Sequence, residues 1–285
     1  MIIELVKFII CSILIVIIAK KILSNTLRKL AEIMKLKPKT VGYIAGISTS
    51  IPELLSVGIA GFSGLIDTGI FNILTSNIIN FIEYFITIIL NKNIKIIKNK
   101  AIILELILVI ITIAIPLISS NQNIDLNMNI VYCFIGLYII FHYINKYIHK
   151  KYLKVEDEIF SKEIHAKENI QEKGKSKYYI LTIIVSTVLL FFIGNILSNS
   201  LEKLCNNFGI SQFIIGILLG IITSAPEFIT FNDAQRYYKK KYNKPLLGVI
   251  EATNNLISSN VINLFVIQSL GILIYIIKFW KIIKI

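Results

Sequence analysis

The 285-residue sequence lacks the features by which most enzymes are recognised. It contains no paired nucleophile and base and no cofactor-binding motif, so we expect neither catalysis nor a resident cofactor. Its three cysteines, Cys11, Cys133 and Cys205, are isolated and form no CxxC pair. We interpret them as small packing residues.

Polar surface is also scarce. Only 16% of the residues are charged and 55% are hydrophobic, with a mean hydropathy of +0.73. A soluble protein of this composition would have too little polar surface to face water, and intrinsic disorder requires low hydrophobicity. The apolar runs are continuous and lack the alternation that is typical of transmembrane β-barrels. What remains is an all-α, polytopic membrane protein.

About eight apolar runs are long enough to cross a bilayer, which takes about 20 residues. We predict membrane spans at 2–23, 40–63, 68–90, 101–119, 129–148, 178–198, 209–234 and 246–277. The last run is longer than one span needs and too short for two. It should therefore tilt, kink or end outside the lipid.

Acidic residues are outnumbered by basic ones, 17 to 30, but this excess does not indicate nucleic-acid binding. The basic residues lie between apolar runs, where a membrane protein places its cytosolic loops. The basic segments alternate along the chain, at 24–39, 91–100, 149–177 and 236–245. This alternation predicts a multi-pass protein of a plasma or inner membrane with its N-terminus outside. Lys278, Lys281 and Lys284 conflict with the alternation if the last run spans once.

An internal repeat organises the chain. The pattern G-x3-G-x2-T-S-x-P-E occupies residues 42–53 and returns with the same spacing at 216–227. The pattern N-x3-S-N-x2-N then follows at 72–80 and again at 255–263. Two shared patterns in the same order make chance an improbable explanation.

The two copies are predicted to be inverted in the membrane. The first T-S-x-P-E helix starts in the cytosol. Five spans precede the second half of the chain and one more precedes its T-S-x-P-E helix, so the second motif helix starts outside. Inverted repeats are typical of secondary transporters, which bind their substrate near the midplane where the repeats meet. We therefore divide the chain into a first repeat of five helices at 1–149, a charged cytosolic linker at 150–177 and a second, shortened repeat of three helices at 178–285.

The repeated residues suit a cation site. Pro52 and Pro226 cannot donate a backbone hydrogen bond, and in a helix interior each would cost about 3 kcal/mol and leave carbonyls free to face a cation. Glu53 and Glu227 each follow a threonine by four residues, so the pair shares one helix face. In the partner helices the Asn and Ser residues form stripes: Asn72, Ser76 and Asn80, and then Asn255, Ser259 and Asn263. These are hard oxygen ligands, suited to Na⁺ or Ca²⁺.

Interhelical adhesion is the alternative explanation for the Asn and Ser stripes, at about 0.6 kcal/mol per hydrogen bond. The two glutamates favour a functional site, because an acidic residue at the bilayer centre costs on the order of 2.5–3.5 kcal/mol. With these two carboxylates the site should carry a charge of −2 at most. Glu83 and Glu105 have no counterpart in the other half and rank lower.

These motifs resemble those of the cation/Ca²⁺ exchanger superfamily, which has two inverted α-repeats with the patterns G-T-S-x-P-E and G-N-x-x-G-S-N-x-x-[N/D]. The resemblance implies that Glu53 and Glu227 are the main cation ligands. It implies that further ligands complete the sites, namely Thr49, Ser50, Ser76, Asn80, Thr223, Ser224, Ser259 and Asn263. It also implies that the helices near 2–23 and 178–198 slide past the rest during transport.

The sequence departs from the family pattern at several positions. Ser48 and Ile222 replace the glycine before each T-S, and the glycines of both N-x3-S-N stretches are absent. The last motif position is Asn in both repeats, where many relatives have Asp in at least one. Since the family usually has ten spans, the chain is expected to be a divergent, C-terminally shortened member.

The sequence thus predicts a secondary active antiporter that exchanges Ca²⁺ for Na⁺. Its partners would be the lipid bilayer and inorganic cations, with no nucleic acid, and its only small ligands the transported Ca²⁺, Na⁺ or H⁺. Two alternatives stay open: a cation/H⁺ exchanger without Na⁺ coupling, and a non-transporting membrane relative with a role in assembly or regulation.

Overall fold

The structure, a computed structural model, describes residues 2–120, 126–153, 176–208 and 211–283. Over these ranges the chain is all-α without β-strands, as predicted. The α-helices are α1 Ile2–Ile17, α2 Asn25–Ile33, α3 Pro38–Thr49, α4 Ile51–Ser63, α5 Ile66–Leu90, α6 Lys100–Ser120, α7 Met128–Tyr152, α8 Ser176–Phe208, α9 Gln212–Thr223, α10 Ala225–Tyr242, α11 Pro245–Ile262 and α12 Gln268–Ile283. Two π-helical segments, Ile18–Ser24 and Asn263–Ile267, follow α1 and α11.

Seven stretches of the described residues are long and apolar enough to cross a membrane, and each corresponds to a predicted span. They are Pro38–Phe62, Ile66–Leu90, Lys100–Ile118, Met128–Tyr152, Ser176–Leu197, Gln212–Tyr242 and Pro245–Phe279. The predicted span at 2–23 corresponds to α1 and the π-helical segment after it, and it is not among the seven. Residues 154–175, most of the predicted linker, lie outside the described residues.

Each T-S-x-P-E motif interrupts its helix within the span. α3 ends at Thr49, and Ser50 separates it from α4. Ser224 separates α9 from α10 in the same way. Pro52 and Pro226 therefore lie in the first turn of a new helix, where the missing N–H would have had no intrahelical partner. The cost that was expected for a proline in a helix interior is thereby avoided, and each motif starts a half-helix inside the membrane span.

Glycines allow close packing between the two repeats. A Cβ atom on Gly46 of α3 would overlap the side chain of Ser258 on α11. A Cβ atom on Gly220 of α9 would likewise overlap Thr75 on α5. Each broken helix therefore packs tightly against the N-x3-S-N helix of the other repeat, as small residues allow at helix interfaces in membranes.

The directions of these helices show that the repeats are inverted. Along α3 and α11 the contacts advance together, from Gly42 beside Glu251 to Gly46 beside Ser258, so the two helices are parallel. α9 and α5 are parallel by the same measure. α4 continues the span of α3, whereas α5 returns antiparallel to α4 after the turn at Gly64. α3 and α9 consequently run in opposite directions.

The final run crosses once. Near the end of α12, Lys278 Nζ donates to the backbone carbonyl of Phe62 and lies 3.7 Å from the centroid of its ring. Phe62 is close to the end of α4, next to the segment 64–69, which turns into α5 and has no Lys or Arg. Lys278 therefore lies on the side predicted to be outside, and the alternation of basic segments does not extend to it.

A pair of helices covers one side of the central bundle. α1 packs along α8, and α8 lies against α4, with Gly194 beside Pro52. α8 exposes Ile184, Val188 and Phe192, which are spaced four residues apart and so form one apolar stripe. Such a stripe suits contact with lipid.

Candidate functional site

The glutamates of the two T-S-x-P-E motifs are buried at the centre of the fold. Glu53 and Glu227 have 0% exposure and lie in the first turns of α4 and α10, directly after the helix breaks. Ser76 Oγ donates to Glu53 Oε1 at 3.1 Å, and Ser259 Oγ donates to Glu227 Oε1 at 3.1 Å. The same hydrogen bond is thus formed once in each repeat.

The threonines of the motifs reach the glutamate of the opposite repeat. Thr223 interacts with the carboxylate of Glu53, and Thr49 interacts with that of Glu227. Thr223 Oγ1 also lies 3.4 Å from Ser76 Oγ, the group that holds Glu53. Each carboxylate is therefore contacted by hydroxyls from both halves of the chain.

The serines of the motifs make further contacts across the two repeats. Ser50 Oγ lies 3.0 Å from Ser259 Oγ, the hydroxyl that binds the second glutamate. Ser224 Oγ approaches the backbone carbonyl of Ser76 at 3.5 Å. The two helix breaks, although distant in sequence, thus converge on one small region.

Asparagines join the two sides of this region. Asn80 Nδ2 donates to Ser259 Oγ and to Asn260 Oδ1, both at 3.2 Å. Asn263 Nδ2 donates to Asn77 Oδ1 at 3.3 Å. Asn77 and Asn260 donate to each other's backbone carbonyls at 3.2 and 3.1 Å. We did not predict Asn77 and Asn260 as site residues, although both belong to the repeated N-x3-S-N-x2-N pattern.

A second layer of hydrogen bonds supports the first. Asn72 Nδ2 donates to Ser56 Oγ, and at the equivalent place Asn255 Nδ2 donates to Thr230 Oγ1 at 2.7 Å. Ser56 and Thr230 each lie three residues after a site glutamate, a shared position that sequence reasoning missed. These bonds fix how α4 and α10 sit against α5 and α11.

Several buried oxygen atoms in this region have no hydrogen-bond partner among the described residues. They are Glu53 Oε2, Glu227 Oε2, Asn72 Oδ1, Asn80 Oδ1, Asn255 Oδ1 and Asn263 Oδ1. Leaving a buried polar group unsatisfied costs about 1–3 kcal/mol, and more if it is charged. All six atoms are acceptors, so a hard cation such as Na⁺ or Ca²⁺ would satisfy them. The ten predicted ligands thus lie together, and their binding of an ion stays a prediction.

Glu83 brings a third carboxylate near the site. It follows Asn80 by one turn of α5 and interacts electrostatically with both Glu53 and Glu227. The expected charge of −2 counts only Glu53 and Glu227 and stays a prediction, and Glu83 adds a neighbouring negative charge that it did not consider. Within the described residues, no three His, Cys, Asp or Glu side chains are grouped closely enough to hold one metal ion. Glu83 consequently lies beside the glutamate pair and does not complete a three-carboxylate site with it.

The sequence profile of one protein family, described as sodium/calcium exchanger protein, matches residues 5–147 and 178–284. The chain belongs to this family. The resemblance inferred from the two motifs is confirmed, and the protein is an integral, multi-pass membrane protein of a cation-exchanger family. Members of this family are transporters and not enzymes.

Solved structures of the sodium-calcium exchanger NCX_Mj are similar to this exchanger. One, soaked with 10 mM Na⁺ and zero Ca²⁺, has a TM-score of 0.59 and 19% sequence identity, covering 96% of this chain and 84% of that chain. Another, soaked with 100 mM Na⁺ and 10 mM Sr²⁺, has a TM-score of 0.59 and 18% identity, covering 96% and 83%. At these identities the likeness shows a shared fold. No curated protein matches the chain significantly.

Proposed function

We propose that this protein is a secondary active antiporter that exchanges Ca²⁺ for Na⁺ at the buried site between the two helix breaks. The observation that carries the proposal is the symmetrical pair formed by Glu53 and Glu227. Each glutamate is fully buried, is held by a serine through one oxygen, and has its second oxygen free of hydrogen-bond partners among the described residues. A cation is the ligand that would satisfy both free oxygens.

Charge balance favours exchange between these two ions. One Ca²⁺ or two Na⁺ would balance the charge of Glu53 and Glu227, so the two ions should compete for the same oxygens. The solved protein with a similar fold is described as a sodium-calcium exchanger, which supports the choice of ions. Protons also bind carboxylates, so uptake should fall as the pH is lowered.

Alternating access would have to open this site to one side of the membrane at a time, because both glutamates are inaccessible to solvent in the structure. Discontinuous helices that meet near the midplane are the usual setting for such a site in secondary transporters. α1 and α8 pack together, and α8 lies on α4 next to the first helix break. This pair is the proposed sliding element.

The test is uptake of radiolabelled Ca²⁺ into proteoliposomes that contain the purified protein. An outward Na⁺ gradient should drive Ca²⁺ accumulation, and Ca²⁺ should in turn drive Na⁺ efflux. Uptake driven by an outward H⁺ gradient but not by Na⁺ would replace Na⁺ with H⁺ as the coupling ion. Absence of uptake under both gradients, from protein that is monodisperse, would contradict the exchanger assignment.

A further inference from the structure

Glu83 is not explained by the symmetry of the repeats. Because Asn80 is equivalent to Asn263, the residue equivalent to Glu83 is Val266, in the π-helical segment after α11. An acidic residue inside a membrane helix costs on the order of 2.5–3.5 kcal/mol and usually marks an ion or substrate pathway. Glu83 Oε2 is buried and has no hydrogen-bond partner in the described part of the chain. A buried oxygen in this state points to a ligand of its own.

The surroundings of Glu83 are polar on the side that leads away from the midplane. Further along α5, Gln235 Nε2 of α10 donates to Thr87 Oγ1 at 2.8 Å. One turn beyond, Asn91 Nδ2 donates to Asn232 Oδ1 at 2.9 Å. We refer to Thr87, Asn91, Asn232 and Gln235 as the α5–α10 polar interface. It extends from Glu83 toward the side predicted to face the cytosol.

We propose that Glu83 forms a second cation subsite beside the glutamate pair, where a hard cation, Na⁺ or Ca²⁺, is bound on its way between the midplane and the α5–α10 polar interface. The inference rests on the proposed function, since a subsite of this kind has a use only if cations pass through the protein. Asn80 lies one turn from Glu83 and has its Oδ1 buried without a hydrogen-bond partner among the described residues, so it can supply an oxygen to an ion at either position.

Electrostatics connects the two positions. Glu83 interacts with both Glu53 and Glu227, and like charges in a medium of low dielectric repel strongly. A cation at Glu83 therefore reduces the negative charge that the glutamate pair experiences, and a cation at the pair does the same for Glu83. The number of ions bound, and not only their affinity, should depend on Glu83.

The first test uses the unaltered protein. N,N′-dicyclohexylcarbodiimide modifies buried carboxyl groups, and a bound cation protects them. Modification of Glu83, read by mass spectrometry of peptides, should fall when Na⁺ or Ca²⁺ is added. Glu105 is the internal control, because its carboxylate is buried and its electrostatic neighbours are Lys39 and Tyr84. Its modification should not respond to the ions.

The second test compares variants in equilibrium binding of radiolabelled Na⁺ and Ca²⁺. Glu83→Gln should weaken apparent Ca²⁺ affinity about tenfold through the lost charge, and it should lower by one the number of Na⁺ bound at saturation. Glu83→Asp keeps the charge and should retain the wild-type number. Glu105→Gln, the matched buried control, should leave both quantities unchanged.

Failure of the Glu83 subsite can be distinguished from failure of the proposed exchange function. If wild-type protein exchanges ions and Glu53 is protected by cations, but Glu83 is modified equally with and without them, the subsite is ruled out and the exchanger stands. The subsite is also ruled out if Glu83→Gln binds as many Na⁺ as wild type with unchanged Ca²⁺ affinity. If no glutamate is protected and no uptake occurs, the proposed function fails and the subsite fails with it. Poor folding of Glu83→Gln leaves the protection experiment on wild-type protein as the deciding measurement.

Discussion

The half-helices α4 and α10 begin alike at their glutamates, but the interfaces that they form further along are different. Gly61 of α4 lies so close to α12 that a Cβ atom on it would overlap the carbonyl of Gly271. The equivalent residue of α10 is Gln235, which hydrogen-bonds Thr87 and Asn93 instead. One side of the site is thus closed by backbone packing, and the other by side-chain hydrogen bonds. The repeats keep their symmetry around the candidate ion ligands and lose it along the routes that lead away from them.

The largest loss of transport should come from substituting the glutamates that both repeats share. Glu53→Gln and Glu227→Gln each remove one carboxylate charge from equivalent positions, so each should abolish Ca²⁺ uptake to a similar extent. Thermal unfolding should change little, because Gln can still accept the hydrogen bond from Ser76 or Ser259. Proteoliposome uptake measures the loss, and size-exclusion chromatography checks the fold. If either variant transports like wild type, that glutamate is structural and the symmetrical site is wrong.

A second pair of variants tests whether Glu83 makes Ca²⁺ affinity respond differently to a carboxylate added in one repeat or in the other. Asn263→Asp adds a carboxylate to the site and should raise Ca²⁺ affinity about tenfold through the added charge. Asn80→Asp adds the same group one turn from Glu83, and the repulsion between the two should make its gain smaller. Ca²⁺ titration of both purified variants measures their affinities, and the gain over wild type is then compared between the two. Equal gains would show that Glu83 does not act on the site.

A larger side chain in the packed interface between α4 and α12 should lower the stability of the protein. Gly61→Ala inserts a methyl group against the Gly271 backbone, and overpacking of this kind costs about 1–3 kcal/mol. Gly136→Ala on α7 is the matched control, because a Cβ atom there meets nothing within 4 Å. The melting temperature should fall for the first variant and stay the same or rise for the second. Similar melting temperatures for the two variants would contradict the close approach of α4 and α12.

Replacing a polar side chain of the α5–α10 polar interface by an apolar one of similar size should also lower stability. Gln235→Leu leaves buried polar groups on Thr87 and Asn93 without this partner, which costs about 1–3 kcal/mol. Asn199→Leu removes an exposed hydrogen bond to Asn195 on α8 and should have a smaller effect on the melting temperature. Gln235→Leu should also slow exchange more than Asn199→Leu does. If both variants melt and transport alike, the interface has no special role.

The smallest expected effect on transport is that of cysteine labelling in the connecting segments, which tests the orientation of the chain in the membrane. Single cysteines at Lys37 and Gln122 should react from opposite sides of the membrane, since the first lies in a basic segment and the second in a loop without Lys or Arg. Maleimide labelling of sealed, oriented vesicles measures accessibility. Labelling of both positions from the outside would contradict the predicted orientation, including the external N-terminus.

Periodicity and repetition predicted the symmetrical part of this molecule. The span positions follow from apolar runs whose length the bilayer dictates, and the pairing of Glu53 with Glu227 follows from two motifs with one spacing. Glu83 could not be found in this way because the equivalent residue is Val266, and a search for repeats discards whatever occurs once. Its place near the glutamate pair arises from the packing of α5 against α9 and α10, which no short pattern encodes.

The position of the π-helical segment also could not be predicted from the sequence. The length of the last apolar run predicted a tilt, a kink or an end outside the lipid, and the structure shows a single span with a π-helical segment at Asn263–Ile267. Asn80, at the equivalent place in the first repeat, lies in a regular α-helix. The two asparagines have the same sequence context over the motif, so the difference depends on packing outside it.

The contact between Gly194 and Pro52 has a consequence for the kinetics of exchange. A Cβ atom on Gly194 would lie 3.4 Å from Pro52 Cα, so the backbone of α8 runs directly over the helix break that precedes Glu53. If α8 moves along α4, no side chain at this position has to pass the proline ring, and the barrier between successive positions stays low. A bulky residue at 194 would raise that barrier without touching any candidate ligand. In the proposed sliding mechanism, the turnover rate and not the ion affinity is therefore the quantity that we expect this glycine to control.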